Sequence, residues 1–404
     1  MTVPTTDRRN KLLGITLWCV ALLAPSPGFA AQAAKVETAP FDADIRELGR
    51  AWLVDNGGVG LSIGVYENGK RHFYNFGTVQ TDSDRIPTKD TVYEIGTLTK
   101  VFSGQLLARA VVEGRVSLDD DVTKYLDEPY PNFENSGDKI RVVHLANMTS
   151  QLLDLIPDVT QVRNVPGELL TVTRMHVFER YTRTDFLRQL HFLAPRLPPG
   201  EGLSPSNVAA MLLGVVLEKI YGELFEDTLK REIEKPLRMG SGVAPDTKRL
   251  ARGYNADNQP LPPFSPPILL SSGALRYSAD DLLKFAAWQM VERDASVKLS
   301  HRATWNTKDM KEGVGLFWLI GQSPAGRRLQ FSGGTYGFAS FCDLYPEARV
   351  AVVLLSNKAA DGAQASLRAL SAKLVQVVVP PGPAAPPGDV SPQPSSAGAP
   401  QPGH

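Results

Sequence analysis

The most informative segment of this chain is Tyr93-Glu94-Ile95-Gly96-Thr97-Leu98-Thr99-Lys100-Val101-Phe102. It opens an apolar pattern that predicts a helix from Thr97 to Glu113, ending at Gly114. Thr97 and Lys100 stand at positions i and i+3, so they share one face of this helix. A desolvated lysine has a lowered pKa and can accept a hydroxyl proton, and a helix N-terminus favours a developing oxyanion. The pair is therefore a candidate nucleophile and base, although the same spacing also begins many ordinary amphipathic helices.

The segments on both sides of this stretch predict the rest of the fold. Residues 58–66 and 71–79, joined by Asn68-Gly69, predict a β-hairpin with a tight turn. Further strands are predicted at residues 315–321, 328–331, 338–344 and 350–356, and a helix at 364–377. Between them, residues 115–265 are loop-rich with helices, most clearly at 206–221 and 224–234. We therefore expect an α/β (α+β) fold, in which both chain ends form one antiparallel sheet flanked by helices, with an inserted helical subdomain.

One motif points to a different site. Residues Gly60-Leu61-Ser62-Ile63-Gly64 match G-x-S-x-G, the nucleophile elbow of α/β-hydrolases. That motif requires a sharp strand-to-helix turn at the serine. Because Ser62 lies inside a predicted strand that continues into the hairpin, we do not expect it to be a nucleophile.

The composition argues against several classes of function. The 404 residues contain 43 Lys plus Arg and 43 Asp plus Glu, so the formal net charge is zero. No basic stripe indicates a nucleic-acid partner. Outside the N-terminal apolar run the only cysteine is Cys342, and the histidines show no paired ligand spacing. We therefore expect no internal disulfide, no metal site and no cofactor.

Both ends of the chain differ in character from the region between them. Arg8, Arg9 and Lys11 precede a short apolar run and small residues up to Ala30, which is typical of a secretory signal peptide. We expect a signal peptide at residues 1–30, a short linker at 31–40 and a disordered Pro/Gly/Ala-rich tail at 379–404. The protein would then be exported, to the periplasm or the extracellular space. An uncleaved signal segment, which would be its only membrane contact, is the alternative.

Further motifs follow the opening stretch in a fixed order. They are Leu118-Asp119-Asp120-Asp121, His144-Leu145 with Thr149-Ser150, Pro199-Gly200, Pro236-Leu237-Arg238-Met239, Ser272-Gly273-Ala274-Leu275 and Gly333-Gly334-Thr335-Tyr336-Gly337-Phe338. In order and spacing they resemble the class C β-lactamase family, with its relatives among D-Ala-D-Ala carboxypeptidases and esterases. The resemblance implies one β-lactamase-related domain at residues 41–378, of the penicillin-recognising serine hydrolase class.

The catalytic positions depart from the pattern of that family. Thr97 stands where the family has its nucleophilic serine. The family's Y-x-N motif reads Pro205-Ser206-Asn207, which lacks the tyrosine that serves as base and proton relay. Its K-T-G or H-x-G motif reads Phe331-Ser332-Gly333, which lacks a cationic or imidazole group.

The resemblance leaves a reduced set of candidate site residues. Thr97, Lys100 and Asn207 are the catalytic candidates, and the N–H groups of Thr97 and Gly334 are candidates for an oxyanion pocket. The other predicted substrate-binding residues are Ser206, Phe331, Ser332 and Gly333.

Two functions from different classes fit this set of residues. The first is a catalytically weakened or inactive protein that binds a peptidoglycan-derived or other small-molecule acyl ligand, for which Phe331 would favour an apolar group. The second is a divergent hydrolase of β-lactamase, carboxypeptidase or esterase type, with an acyl-Thr97 intermediate and Lys100 as base. Because loss of a general acid–base group typically lowers a rate by roughly 100- to 10,000-fold, the first function is the main expectation.

Overall fold

The structure, a computed structural model that describes residues 39–379, is built around an eight-stranded antiparallel sheet. The strands along the described chain are β1 (Gly60–Glu67), β2 (Lys70–Gly77), β3 (Val92–Glu94), β4 (Glu134–Asn135), β5 (Asp138–Lys139), β6 (Gly253–Tyr254), β7 (Pro260–Leu261), β8 (Arg276–Ser278), β9 (Trp305–Asn306), β10 (Gly313–Val314), β11 (Leu319–Ser323), β12 (Gly326–Gly334), β13 (Ala339–Tyr345) and β14 (Val350–Ser356). The large sheet has the order β2-β1-β14-β13-β12-β11-β10-β9, and β3-β8, β4-β5 and β6-β7 form separate pairs.

Strands from the two ends of the described chain lie side by side in this sheet. β1 pairs with β14 in antiparallel register, from Leu61 opposite Ser356 to Glu67 opposite Val350. Every residue of β13 and β14 is buried, as expected for central strands that are covered on both faces. The prediction of one antiparallel sheet built from both chain ends is therefore confirmed.

The β1–β2 hairpin forms as its turn residues predict. Glu67 pairs with Lys70 across the turn, and Asn68 and Gly69 have φ angles of 48° and 94°. A two-residue hairpin turn of this hand requires positive φ at both positions, which Asn and Gly tolerate best. Ser62 lies inside β1, where its hydroxyl donates to Asn75 Oδ1 at 2.8 Å. It is not on a strand-to-helix turn.

Eleven α-helices are described. They are α1 (Asp42–Asp55), α2 (Lys100–Val112), α3 (Val142–Ala146), α4 (Gly167–Arg180), α5 (Arg183–Leu190), α6 (Asn207–Tyr221), α7 (Phe225–Leu229), α8 (Lys235–Leu237), α9 (Ala279–Gln289), α10 (Ala295–Ser300) and α11 (Ala363–Val378). A π-helical segment, Lys230–Glu234, joins α7 to α8. No helix among residues 39–379 combines the length and the apolar character needed to cross a bilayer.

Helices cover both faces of the large sheet. On one face, the Phe76 ring packs against Gly49 of α1, and Trp52 of α1 donates a hydrogen bond to Ser366 of α11. On the other face, Gly64 of β1 lies against Leu283 of α9. Because successive residues of a strand point to opposite faces, β1 contributes to both layers of the core.

The helices of the region between β3 and β8 pack around α6. Residues 208–217 of α6 are all buried, which matches its almost uninterrupted apolar sequence. α6 packs against α2 and α3, and its N-terminus at Asn207 faces the start of α2. This arrangement brings the second altered motif to Lys100.

Two predicted elements differ from the structure. The expected helix from Thr97 begins as a 3-10 turn, Gly96–Thr99, and continues as α2 only from Lys100. The expected strand at 315–321 begins at Leu319, because Gly315 N–H bonds the Trp318 carbonyl in a turn that places Phe317 at a φ of 67°. The predicted signal peptide, most of the linker and most of the tail lie outside the described residues.

Candidate active site

Thr97 is held at the end of β12 by two glycines. Gly96 has a φ of 54°, and a Cβ built there would lie 2.3 Å from the Gly334 carbonyl oxygen. A Cβ on Gly333 would lie 2.0 Å from the Ile95 carbonyl oxygen. Any side chain at either position would overlap backbone, so the glycines permit the close approach that sets Thr97 beside Gly334. As the second residue of a helical turn, Thr97 also has an N–H without an intrahelical acceptor.

The hydroxyl of Thr97 and the amine of Lys100 bind different carbonyl groups. Thr97 Oγ1 donates to the Ser332 carbonyl at 3.1 Å, and Lys100 Nζ donates to the Ser206 carbonyl at 3.1 Å. The two groups share one region of the molecule, but the hydroxyl proton is directed to Ser332 rather than to the candidate base. The hydrogen bond from Thr97 to Ser332 would have to break before Lys100 could accept the hydroxyl proton.

Lys100 is a buried amine with an altered pKa. Only 4% of the residue is exposed. Burial lowers its pKa to about 8, since the charged form is desolvated, and the carboxylate of Asp154 acts in the opposite direction. Lys100 therefore loses its proton more readily than a surface lysine, as a general base must.

Asp154 holds the N-terminus of α6 and was not predicted as a site residue. Its carboxylate accepts hydrogen bonds from Ser206 Oγ at 3.0 Å, Asn207 N at 2.5 Å, Asn207 Nδ2 at 3.0 Å and Val208 N at 3.0 Å. The hydroxyl of Ser206 in turn accepts from Ala209 N and caps the helix. The Asn207 side chain is thus fixed by Asp154. A contact across 53 residues leaves no local signal in the sequence.

Phe331 does not face the site. Its ring is 7% exposed and packs edge-to-face on Phe317, with 6.3 Å between the ring centroids. Along β12, Phe331 and Gly333 are buried, whereas Ser332 and Gly334 are half-buried on the opposite face. The expectation that Phe331 meets the ligand is corrected, because strand alternation turns its side chain into the core.

A cavity of about 320 Å³ opens in front of Thr97. Of the predicted site residues, Thr97, Asn207 and Gly334 line it. Lys100, Ser206, Ser332 and Gly333 lie behind these lining residues, and Phe331 lies in the core. The lining as a whole consists of Thr97, Asp154, Ile156, Pro157, Val159, Phe178, Asn207, Met211, Phe264, Leu269, Ser272, Gly273, Gly334, Thr335 and Tyr336.

Three aromatic rings form one wall of this cavity. Phe264 packs edge-to-face on Phe178 and on Tyr336, with centroid distances of 5.8 Å and 5.2 Å. Glu94 anchors the wall from behind, since its carboxyl oxygens accept from Phe264 N at 2.6 Å and from Thr335 Oγ1 at 2.7 Å. Burial raises the pKa of Glu94 to about 7. The wall is therefore attached to the segment that carries Thr97.

Two other observations bear on the choice of site. A larger surface groove of about 600 Å³ lies between the Val122–Tyr125 turn and α5 and α6, but it shares no lining residue with the Thr97 cavity. Within residues 39–379, no three His, Cys, Asp or Glu side chains are grouped closely enough to hold a metal ion. The Thr97 cavity, in contrast to that groove, is lined by the Thr97 hydroxyl and lies next to the buried amine of Lys100 and the N-terminus of α6.

Comparison with known proteins assigns the family. A model of the family described as "Beta-lactamase" matches residues 41–376, so the chain belongs to the β-lactamase family of serine hydrolases. It is 24% identical over 346 residues to a β-lactamase of Escherichia coli (strain K12), covering 74% of this chain and 84% of that protein. It is 25% identical over 340 residues to a β-lactamase of Providencia stuartii, covering 74% and 82%.

Solved structures show the same fold. A class C β-lactamase superposes with a TM-score of 0.72 at 19% identity, covering 85% of this chain and 98% of that one. A β-lactamase/D-alanine carboxypeptidase from Pseudomonas syringae superposes with a TM-score of 0.69 at 19% identity, covering 84% and 99%. The expected family and fold are thus confirmed, and the altered residues lie within an otherwise complete family domain.

Proposed function

We propose that this protein binds a small acyl compound, such as a peptidoglycan-derived fragment, in the Thr97 cavity and hydrolyses it far more slowly than an intact family site would. The observation that carries this proposal is the direction of the Thr97 hydroxyl. It donates to the Ser332 carbonyl, whereas the amine of Lys100 donates to the Ser206 carbonyl.

The direction of the Thr97 hydroxyl matters because of the proton transfers that acyl transfer requires. Thr97 Oγ1 would have to attack a carbonyl carbon while its proton passed to Lys100, and the leaving group would have to receive a proton as it departed. Water would then cleave the acyl-threonine ester, releasing the acid and restoring the hydroxyl. No tyrosine stands at position 205 to carry the second proton, and the methyl group of Thr97 narrows its rotamer choice and crowds a bound carbonyl group. Each missing step slows turnover while leaving the cavity able to bind.

A second candidate function is supported by a different observation. Burial of Lys100 lowers its pKa to about 8, so roughly a tenth of the amine is neutral at pH 7. A neutral amine beside Thr97 is the base that a divergent hydrolase with an acyl-Thr97 intermediate would use. The N–H groups of Thr97 and Gly334 would then stabilise the oxyanion.

We further propose that the protein is exported and meets its ligand in the periplasm or the extracellular space. Arg8, Arg9 and Lys11, the apolar run at 12–24 and the small residues before Ala31 support this proposal. N-terminal sequencing of the secreted chain, with a new terminus at Ala31, would test it.

The two functions are separated by a turnover assay. We expect kcat for a chromogenic cephalosporin to be at least about 100-fold lower than that of an active relative, because a general acid–base group is missing. The rate is measured at saturating substrate, so that weak binding of the substrate carboxylate does not affect the comparison. Any slow turnover that remains should fall to the uncatalysed rate in Thr97→Ala, because the attacking hydroxyl is removed. Rapid turnover that Thr97→Ala abolishes would overturn the weakened-enzyme proposal and establish the divergent hydrolase.

A further inference from the structure

The Thr97 cavity has an unusual charge distribution. Among the described residues that line it, Asp154 alone carries a formal charge. The Lys100 ammonium lies behind the wall, bound to the Ser206 carbonyl, and its charge is opposed by that of Asp154. Arg174 acts electrostatically on Tyr336 but is not itself a lining residue. A bound ligand therefore meets a carboxylate and no exposed cation at the cavity wall.

The position of the Asp154 carboxylate is fixed. Four hydrogen bonds from Ser206, Asn207 and Val208 hold it against the N-terminus of α6, where the peptide dipoles also favour a negative charge. Asp154 is nevertheless exposed, so a ligand can approach it. It is hydrogen-bonded to Asn207 and lines the same cavity as Thr97.

The aromatic part of the cavity wall also favours a cationic ligand. The rings of Phe178, Phe264 and Tyr336 line the cavity together with Asp154. Aromatic faces attract alkylammonium groups, and a nearby carboxylate adds to that attraction. A ligand carboxylate would instead meet a like charge, with no cation on the wall to offset it.

We propose that Asp154 determines the charge selectivity of this cavity, so that it binds acyl compounds with a cationic leaving group more tightly than those with a carboxylate in the same position. This inference rests on the proposed acyl-ligand function. It identifies the substrate class as acyl esters or amides of alkylammonium compounds.

Three esters of phenylacetic acid that differ only in the charge of the alcohol part test the proposal. They are the esters of choline, of 3,3-dimethylbutanol, which has the shape of choline without its charge, and of 3-hydroxypropionate. Equilibrium binding is measured on full-length Thr97→Ala protein, which lacks the nucleophile. We expect the choline ester to bind roughly tenfold more tightly than the 3-hydroxypropionate ester at low salt, with the uncharged ester between them. The difference should shrink as salt is added.

Two carboxylate-to-amide variants then assign the selectivity to one residue. Asp154→Asn should reduce the preference for the choline ester over the dimethylbutyl ester, because the carboxylate charge is removed, and should leave only the smaller preference that the aromatic rings give. Asp158→Asn, on the same loop but outside the cavity lining, should leave the ranking unchanged. Thermal unfolding of each variant shows whether α6 is intact. The ranking of the three esters is also measured on the Thr97→Ala protein that retains Asp154, and that ranking tests the proposal even if Asp154→Asn does not fold.

The outcomes are distinguishable. Equal binding of the three esters, a preference for the 3-hydroxypropionate ester, or a choline preference that is undiminished in folded Asp154→Asn overturns the inference alone. Failure of all three esters to bind overturns the acyl-ligand function together with it.

Discussion

Replacement of Gly96 by alanine should destabilise the protein for two reasons, one conformational and one steric. Gly96 has a φ of 54°, a conformation that disfavours any L side chain by about 1 kcal/mol. In addition, the new Cβ would lie 2.3 Å from the Gly334 carbonyl oxygen. Relief of such an overlap by a backbone shift typically costs about 1–3 kcal/mol. We therefore expect Gly96→Ala to lower the free energy of unfolding by about 2–4 kcal/mol.

Gly114→Ala is the matched control for this prediction. Gly114 has a φ of 70°, but no atom lies within 4 Å of a Cβ built there. It should therefore lose only the conformational part, about 1 kcal/mol. Urea unfolding of both variants measures the difference, and ligand binding should weaken only in Gly96→Ala, because only that change moves Thr97 away from Gly334. Equal destabilisation of the two variants, or unimpaired binding by Gly96→Ala, would refute the close-approach explanation of the site.

Three further predictions concern Lys100, Phe331 and Glu94. The ¹³Cε resonance of Lys100, identified by its loss in Lys100→Met, should titrate near pH 8. Asp154→Asn should lower the pKa of Lys100, because the carboxylate that favours the ammonium is gone. Titration near the pKa of a surface lysine would contradict the burial argument. Phe331→His should lower the free energy of unfolding by about 2–4 kcal/mol and restore no turnover, because it places an imidazole in the core against Phe317. Higher activity with an unchanged free energy of unfolding would show that the side chain faces the cavity. The pKa of Glu94 is raised in the folded state, from 4.5 to about 7, so the native protein binds more protons than the unfolded chain and its stability falls as pH rises through this interval. Glu94→Gln mimics the protonated acid, so its free energy of unfolding should rise relative to that of the unaltered protein by up to about 3 kcal/mol as the pH increases from 4.5 to 8. Urea unfolding measures this difference, and a difference that does not change with pH would exclude the linkage.

Local signals in the sequence were enough to predict much of the fold. Asn68-Gly69 specified the hairpin turn, since few other residue pairs accept positive φ twice in succession. The pairing of β1 with β14 joins residues far apart in the sequence. It could be predicted only because the apolar strands at both chain ends each need a partner strand. The 3-10 start of the Thr97 segment was missed, because it depends on Gly96 meeting Gly334 from a distant strand.

The candidate site was predictable only in part. Thr97, Asn207 and Gly334 meet at one cavity, as motif order suggested. The two-residue alternation of β12 already places Phe331 and Gly334 on opposite faces, and applying it would have removed Phe331 from the site. Asp154 could not be found from its own segment, because its partners at Ser206, Asn207 and Val208 become neighbours only through the packing of α6.

Intact-mass analysis of the protein after incubation with a saturating concentration of a reactive penicillin shows whether nucleophilic attack by Thr97 is strongly weakened in the retained cavity. We expect most of the chain to keep its unmodified mass after an hour, with any small adduct fraction absent from Thr97→Ala. Rapid and complete formation of an acyl adduct on Thr97, followed by its hydrolysis, would contradict the account and show an active threonine hydrolase.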